Sequence, residues 1–505
     1  MGRKGCYLRA PVHQRLTLES IQSFQGKYPR QLWWLFFSEM GERFAFYGMR
    51  GMLTIFMVSQ LMMKEDVANL QYGATQAFVY AFTFIGGLFA DKVLGFRRSL
   101  FWGGALMVVG SLVLAFDPKE FFFLGIAFNI VGTGFFKPNI SSMVGTLYKD
   151  GDERRDAGFS LFYTGINVGA LAGGYACIAI AQAYSWSLAF GLTAIVMTLA
   201  IIVFDFTRRL LGPIGLSPRD AEPAAKKATW PEWATYAGTL ALIPVLMVMV
   251  SKTDLTDYFM YTIGPLALLY IGYEMTKFSA PERKKLLAAL VFILFSVVFW
   301  AFFEQSGGSL ALFAANNLSD KLLGVSVNPN GVNNAANSLF VIAFSWLVGL
   351  LWIAMAKKKL EPNTVVKFGL GFLFLSGAFF IFYSTRFFAD ANGITSLNVF
   401  TLATLVITLG ELCLSPIGLS IMTKLSPKPL QGVMMGMWFL ASAYGQYVAG
   451  ILGAGMTSPK EDATAVDKLL SYTDGYRQLA IYALIAGVVL LAISQGVRKL
   501  MGEVK

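Results

Sequence analysis

The stretch Glu39-Met40-Gly41-Glu42-Arg43-Phe44-Ala45-Phe46-Tyr47-Gly48-Met49-Arg50 decides how this chain is read. It lies inside an apolar segment that begins near Leu32 and resumes with Met52, Leu53, Ile55, Phe56, Met57 and Val58. Two carboxylates and two guanidiniums therefore sit within what otherwise reads as a membrane span, where each ionised group costs at least ~2.5–3.5 kcal/mol to insert. At ~100° per helical residue, with Glu39 at zero, Glu42 falls at about −60°, Arg43 at about +40°, Phe46 at about −20°, Tyr47 at about +80° and Arg50 at about +20°. Every ionisable side chain is on one face, which must look into protein or a watery cavity rather than lipid. Glu39 and Arg43, at i and i+4, can pair locally as a packing device. Glu42 and Arg50 are left to find partners on other helices.

Composition places that helix among many. The 505 residues are 56% hydrophobic and 14% charged, with a mean hydropathy of +0.58, the signature of a polytopic helical membrane protein. Forty-four Phe in long apolar runs exclude an outer-membrane barrel, whose strands would alternate. The first thirty residues hold Arg3, Lys4, Arg9, Arg15, Lys27 and Arg30 and no apolar core, so no cleavable signal is expected. Cys6, Cys177 and Cys413 have no metal-type spacing. The single histidine, His13, lies in the tail, so proton chemistry inside the membrane falls to carboxylates. No Walker A motif, dinucleotide fingerprint, metal-ligand cluster or nucleophile–base pair accompanies the buried charges. An enzyme, a metal or other cofactor, and ATP-driven pumping are therefore not expected.

Apolar segments recur at about 31–58, 72–90, 97–116, 121–147, 157–181, 187–206, 234–251, 258–276, 286–306, 335–356, 366–385, 395–423, 430–453 and 476–497, fourteen expected spans. With the N-terminus on the cytoplasmic side, that face receives 30 of the 41 Lys+Arg, the asymmetry of the positive-inside rule. Both termini are thus expected in the cytoplasm. The net charge of +11 reads as topology and not as nucleic-acid binding; membrane lipid is the expected surrounding, and no obligatory protein partner is evident.

The spans divide into a tail (1–30), a six-helix bundle (31–206), a linker with two extra helices (207–285), a second six-helix bundle (286–497) and a short tail (498–505). The bundles rhyme. Helix 1 carries the Glu39–Arg50 run, and the helix opening the second bundle carries Phe302-Phe303-Glu304-Gln305. The fourth helix of the first bundle has Phe135-Phe136-Lys137-Pro138-Asn139, and its counterpart has Gly410-Glu411-Leu412-Cys413-Leu414-Ser415-Pro416. Each of these puts a charge just before a proline, where freed carbonyls can face a central site. Charges in the first and fourth helix of each bundle are the pattern of a transporter with its site between the halves.

Weaker signals surround this set. Gly86-Gly87-Leu88-Phe89-Ala90-Asp91-Lys92-Val93-Leu94-Gly95-Phe96-Arg97-Arg98 combines small residues that let helices approach with an expected Asp91–arginine network at the cytoplasmic interface, and resembles the conserved loop of the major facilitator superfamily. Asn167 and Asn337 either bond a neighbouring helix or face a ligand. Trp300 and Trp438 are either pocket walls or ordinary packing.

Taken together, Glu39-x-x-Glu42-Arg43-Phe44-x-Phe46-Tyr47-Gly48, the Lys137-Pro138-Asn139 end of helix 4, Phe162-Tyr163-x-x-Ile166-Asn167-x-Gly169 and Phe303-Glu304-Gln305 resemble the proton-dependent oligopeptide transporters across all twelve core helices. The inserted pair of helices resembles bacterial members, which implies the inner (plasma) membrane. The resemblance implies symport of di- and tripeptides with protons by alternating access. It assigns proton coupling to Glu39, Glu42, Arg43 and Glu304, the peptide carboxylate to Arg50 and Lys137, and the peptide amino group to Glu411. Asn167 and Asn337 match positions that bond the peptide backbone, and Tyr47, Tyr80, Trp300, Trp438 and Ser442 match side-chain pocket positions. Asp91, Arg97, Pro138 and Pro416 are left with gating or structural roles. Phe46 departs from the Tyr found in many members.

The charges argue for the same end independently. Glu39, Glu42, Arg43, Arg50, Lys137, Glu304 and Glu411 are nearly balanced, as pairing at low dielectric requires. Cross-half pairs Arg50–Glu304 and Lys137–Glu411 are expected to close the outer gate. A bipolar chamber suits a zwitterion of up to ~10 Å, which at ~3.3–3.6 Å per extended residue means two or three residues. A same-fold transporter of another zwitterion, anion or drug, or a non-transporting receptor or scaffold, are the other readings.

Overall fold

The structure is a computed structural model that describes residues 16–149, 151–217, 229–414, 418–458, 460 and 462–503. Cys6 and His13 lie outside the described residues. Among those described, fourteen helices have 18 residues or more: α1 (Arg30–Ser59), α2 (Glu65–Phe89), α3 (Gly95–Phe116), α4 (Phe122–Thr146), α5 (Arg154–Ala183), α6 (Trp186–Arg208), α7 (Trp230–Ser251), α8 (Thr253–Met275), α9 (Ala280–Phe303), α10 (Pro329–Lys357), α11 (Thr364–Ser384), α12 (Leu397–Leu414), α13 (Gln431–Ala454) and α14 (Ala465–Met501). An even number of passes leaves the two described chain ends on the same side. We call that the near end and the other the far end.

Nine segments, covering ten of these helices, are long and apolar enough on hydropathy alone to cross a membrane. The four left out are α1, α4, α8 and α13, and three of them, α1, α4 and α13, give polar or charged side chains to the central cavity. Their polarity faces inward, so the helices remain spans although their average hydropathy falls.

Several helices extend past their apolar segments because their first turns are polar. Helix α2 starts at Glu65 and not near 72, with Glu65 and Asp66 in its first turn, where acids suit the helix dipole. Helix α14 starts eleven residues earlier than its apolar run, closed by a capping box between Thr464 and Asp467. Helix α9 stops at Phe303 with Glu304 at its C-cap; the chain then turns into a nine-residue helix, Ser309–Asn317. A small hairpin pairing Lys321–Leu322 with Val325–Ser326 follows, which hydropathy did not signal.

Two apolar cores run through the molecule. One joins α1–α6 and takes in Ile243, Leu246 and Val250 of α7. The other joins α9–α14 and takes in Ile271 of α8. The inserted pair is thus divided between them.

Close approaches depend on glycine. Gly95, at φ +74°, lies where the π-helical turn Ala90–Leu94 passes into α3, and an added Cβ would meet Ser217 N at 2.4 Å. Both the left-handed backbone and the close pass of the linker require glycine there. Gly86 of α2 faces Gly134 of α4 so closely that a Cβ on Gly86 would lie 2.1 Å from the Gly134 carbonyl oxygen.

That last contact corrects one expectation. Helix α4 runs unbroken through Pro138. The carbonyl four residues before the proline, which loses its helical N–H partner, is that of Gly134, and it packs against α2 instead of the central site. Pro416, the matching proline of the second half, lies outside the described residues.

Candidate functional site

A cavity of about 400 Å³ lies between the two sets of six helices. Its wall takes Glu39, Arg43, Tyr47 and Arg50 from α1, Tyr80 from α2, Lys137 from α4, Tyr163 from α5, Trp300 and Glu304 from α9, Asn333, Asn334 and Asn337 from α10, Glu411 from α12, and Trp438 and Ser442 from α13. Nearly all the side chains singled out from the sequence therefore converge. The guanidiniums and the ammonium stand on the first-half wall, while Glu304 and Glu411 stand on the second.

Helix α1 brings its charges together at two levels. Arg43 Nε lies 3.2 Å from Glu39 Oε1 and bonds Glu42 Oε2, with all three residues at most 1% exposed. Glu39 Oε2, Glu42 Oε1 and Arg43 Nη2 remain buried without a hydrogen-bond partner. Such orphaned atoms are costly, and two carboxylates around one guanidinium leave a place for a proton. Glu42 itself does not reach the cavity wall; it bonds Arg43, whose guanidinium also lies over the Phe46 ring at 5.2 Å. Seven residues on, Arg50 Nη2 pairs with Glu304 across the halves, and its Nε donates to Tyr72 Oη at 2.7 Å. Thr54 donates to the Gly307 carbonyl, tying α1 to the turn after Glu304.

The second expected cross-half pair is absent from this arrangement. Lys137 Nζ lies over the Tyr80 ring at 4.7 Å, and Glu411 Oε2 accepts from Asn337 Nδ2 at 2.9 Å. Asn337 also donates to Thr408 Oγ1 at 3.0 Å. Asn167 differs from Asn337: its amide donates to the Tyr163 carbonyl one turn back at 2.9 Å and does not line the cavity. Asp91 is exposed at the near end. The arginines reach elsewhere: Arg97 donates to the Ile214 and Gly212 carbonyls at 2.6 Å each, and Arg98 pairs with Glu232 of α7. Arg97 thus fastens the linker leaving α6, and an ion-paired Asp91 network is not what these contacts form.

Bonds joining the first six helices to the last six gather at the far end. Glu65, opening α2, accepts from Lys468 Nζ at 2.7 Å, Tyr472 Oη at 2.5 Å and Asn316 Nδ2 at 3.1 Å. Asn328 Nδ2 donates to Gln182 Oε1 at 2.7 Å, and Asn334 Nδ2 to the Gly51 carbonyl at 3.3 Å. Glu65, Tyr72, Asn333 and Asn334 were missed in the sequence, although a signal exists. Asn69, Tyr72, Gln76 and Tyr80 follow one another at three or four residues along α2, as do Asn330, Asn333 and Asn337, with Asn334 beside them, along α10. Each set is a polar stripe on one helix face.

Two bundles around a bipolar, membrane-embedded chamber define a transporter of the major facilitator fold. More narrowly, the chain belongs to the POT family, whose model matches residues 97–469, a family of transporters and not of enzymes. It is 32% identical to the peptide transporter YePEPT of Yersinia enterocolitica over 94% of this chain and 96% of that protein. It is 29% identical to dipeptide and tripeptide permease B of Aeromonas hydrophila, covering 94% of each. Among solved structures, peptide transporter POT in complex with alafosfalin superposes with a TM-score of 0.80 at 31% identity, over 96% of this chain and 100% of that one. A POT family transporter in complex with 5-aminolevulinic acid gives a TM-score of 0.80 at 27% identity, over 95% and 100%.

Proposed function

We propose that this protein imports di- and tripeptides together with protons by alternating access. The observation that carries the reading is the Arg50–Glu304 ion pair, which joins the two halves in the wall of a chamber whose cations stand on the first half and whose Glu304 and Glu411 carboxylates stand on the second. A zwitterionic peptide satisfies both walls: its carboxylate at Arg50 and Lys137, its amino group at Glu411 beside Asn337, its side chains against Tyr47, Tyr80, Trp300, Trp438 and Ser442. A longer peptide would leave one terminus desolvated and unmatched.

Coupling follows from competition. When the peptide carboxylate engages Arg50, Glu304 loses its cation, and a buried carboxylate without a partner takes up a proton. The Glu39–Glu42–Arg43 cluster, with its orphaned oxygens, is the second proton store. Each proton crossing the membrane potential contributes ~2.3 kcal/mol per 100 mV. The protein works in the bacterial inner membrane with both termini cytoplasmic, so the far end faces outward. The bonds gathered there then describe an inward-facing state. The two bundles, 31–206 and 286–497, are the moving bodies, and the 207–285 segment links them.

The test is uptake of labelled di-, tri- and tetra-Ala into proteoliposomes with and without an inward proton gradient. Gradient-driven accumulation of the first two and not the third supports the reading; gradient-independent or absent uptake overturns it. The solved relative holding 5-aminolevulinic acid keeps small non-peptide zwitterions as a second reading, separated by competition in the same assay.

A further inference from the structure

The geometry points to the inserted pair α7–α8 as the back wall of the side-chain pocket, with Asp257, Met260 and Gly264 of α8 as positioning residues that set which peptide side chains the site accepts. This rests on the peptide reading above.

The pair straddles the seam between the halves. Helix α7 is tied to the first half: Trp102 Nε1 donates to Thr239 Oγ1 at 3.1 Å and Gln71 Nε2 to the Ser251 carbonyl at 3.1 Å. Helix α8 is tied to the second. Tyr447 of α13 donates its hydroxyl to Asp257 Oδ1 at 2.5 Å, and Tyr444 donates to the Met260 carbonyl. Ala77 of α2, Met260 of α8, and Ala443 and Tyr447 of α13 form a buried apolar cluster of their own. Phe259 reaches α2 as well, 5.5 Å from the Phe78 ring.

Helix α13 transmits this to the cavity. Trp438 and Tyr447 are nine residues apart, about 180° around a helix, so the face bearing Trp438 and Ser442 looks into the chamber while the opposite face is held by α8. The hold is close. A Cβ on Gly264 would lie 2.2 Å from the Tyr444 hydroxyl oxygen, so only glycine lets that hydroxyl reach the α8 backbone. Tyr80 of α2 packs at the edge of the same cluster while lining the cavity. The insertion therefore fixes, from behind, three of the side chains that would touch a peptide side chain, while among the described residues no hydrogen bond or ion pair joins it to Arg50, Lys137 or Glu411, the charges that would hold the termini.

The test uses the full-length protein in proteoliposomes and the ratio of apparent affinities for Ala-Ala and Phe-Ala. Asp257→Leu and Gly264→Leu should shift that ratio by ~5-fold or more, given that one methylene in a pocket is worth ~10-fold or more. Asp257→Asn keeps an acceptor for Tyr447 and should stay within ~2-fold. Tyr447→Phe removes only the hydroxyl and should act like Asp257→Leu, which keeps the test available if a leucine variant does not reach the membrane. A ratio that does not move, or an equal weakening for both peptides, overturns the inference. Wild-type protein that accumulates neither peptide overturns the function reading with it.

Discussion

Arg50 of α1 and Glu304, at the point where α9 breaks, form an ion pair that joins the two halves, and Tyr72 of α2 grips the same guanidinium from a third helix. Both charged side chains are largely buried, so removing either partner leaves the other exposed to the desolvation cost of a lone ion.

Glu304→Gln keeps the size and an acceptor but cannot titrate. It should abolish proton-driven accumulation of labelled dipeptide while leaving counterflow exchange, which needs only the alternation of the carrier. Uphill uptake at the wild-type level in this variant would remove Glu304 from the coupling role.

Glu65 collects Lys468, Tyr472 and Asn316 at the far end, and each bond must break for that end to open. Hydrogen bonds to a charged group contribute ~1.5–3 kcal/mol. Glu65→Ala should therefore raise the population of the far-end-open state by ~10-fold or more. Spin labels at Val67 and Val466 would report it as a second, longer distance. A distance distribution identical to that of the labelled parent would show that the network is ornamental to the conformational balance.

Much of this was legible because charge in a membrane helix is so costly that its placement is never idle. The α1 run, Lys137, Glu304 and Glu411 announced a shared chamber, and the structure brings all but Glu42 to one wall or another. What misled was local. Pro138 suggested a carbonyl turned to the site, but the small residues Gly86 and Gly134 draw α2 and α4 together over that carbonyl. Asn167 and Asn337 looked equivalent as lone amides; only tertiary neighbours separate them, since the Tyr163 carbonyl one turn back satisfies the first and Glu411 engages the second. Lys137 and Glu411 are both on the chamber wall, yet composition cannot say which conformational state pairs them.

The α2–α4 contact gives a controlled comparison. Gly86→Ala would drive a methyl group against the backbone of Gly134, whereas a Cβ on the adjacent Gly87 meets nothing nearer than Pro138 at 3.7 Å. Overpacking against backbone costs ~1–3 kcal/mol. Gly86→Ala should therefore lower the thermal midpoint in detergent, with Gly87→Ala close to wild type. Equal midpoints for the two variants would mean that the helices separate at little cost.

The two amides make the sharpest test of the site. Asn337 bonds the carboxylate proposed to hold the peptide amino group, so Asn337→Ala removes a charge-assisted bond worth ~1.5–3 kcal/mol and leaves Glu411 free to swing. The dissociation constant of Ala-Ala should rise by ~10–150-fold. Asn167 is satisfied within its own helix and stands behind Tyr163, so Asn167→Ala should weaken the same peptide by no more than ~3-fold, through a slight shift of that ring. Isothermal titration on the two variants decides it. A larger loss at Asn167 than at Asn337 would place the peptide backbone on the α5 wall and require the amino-group site at Glu411 to be abandoned.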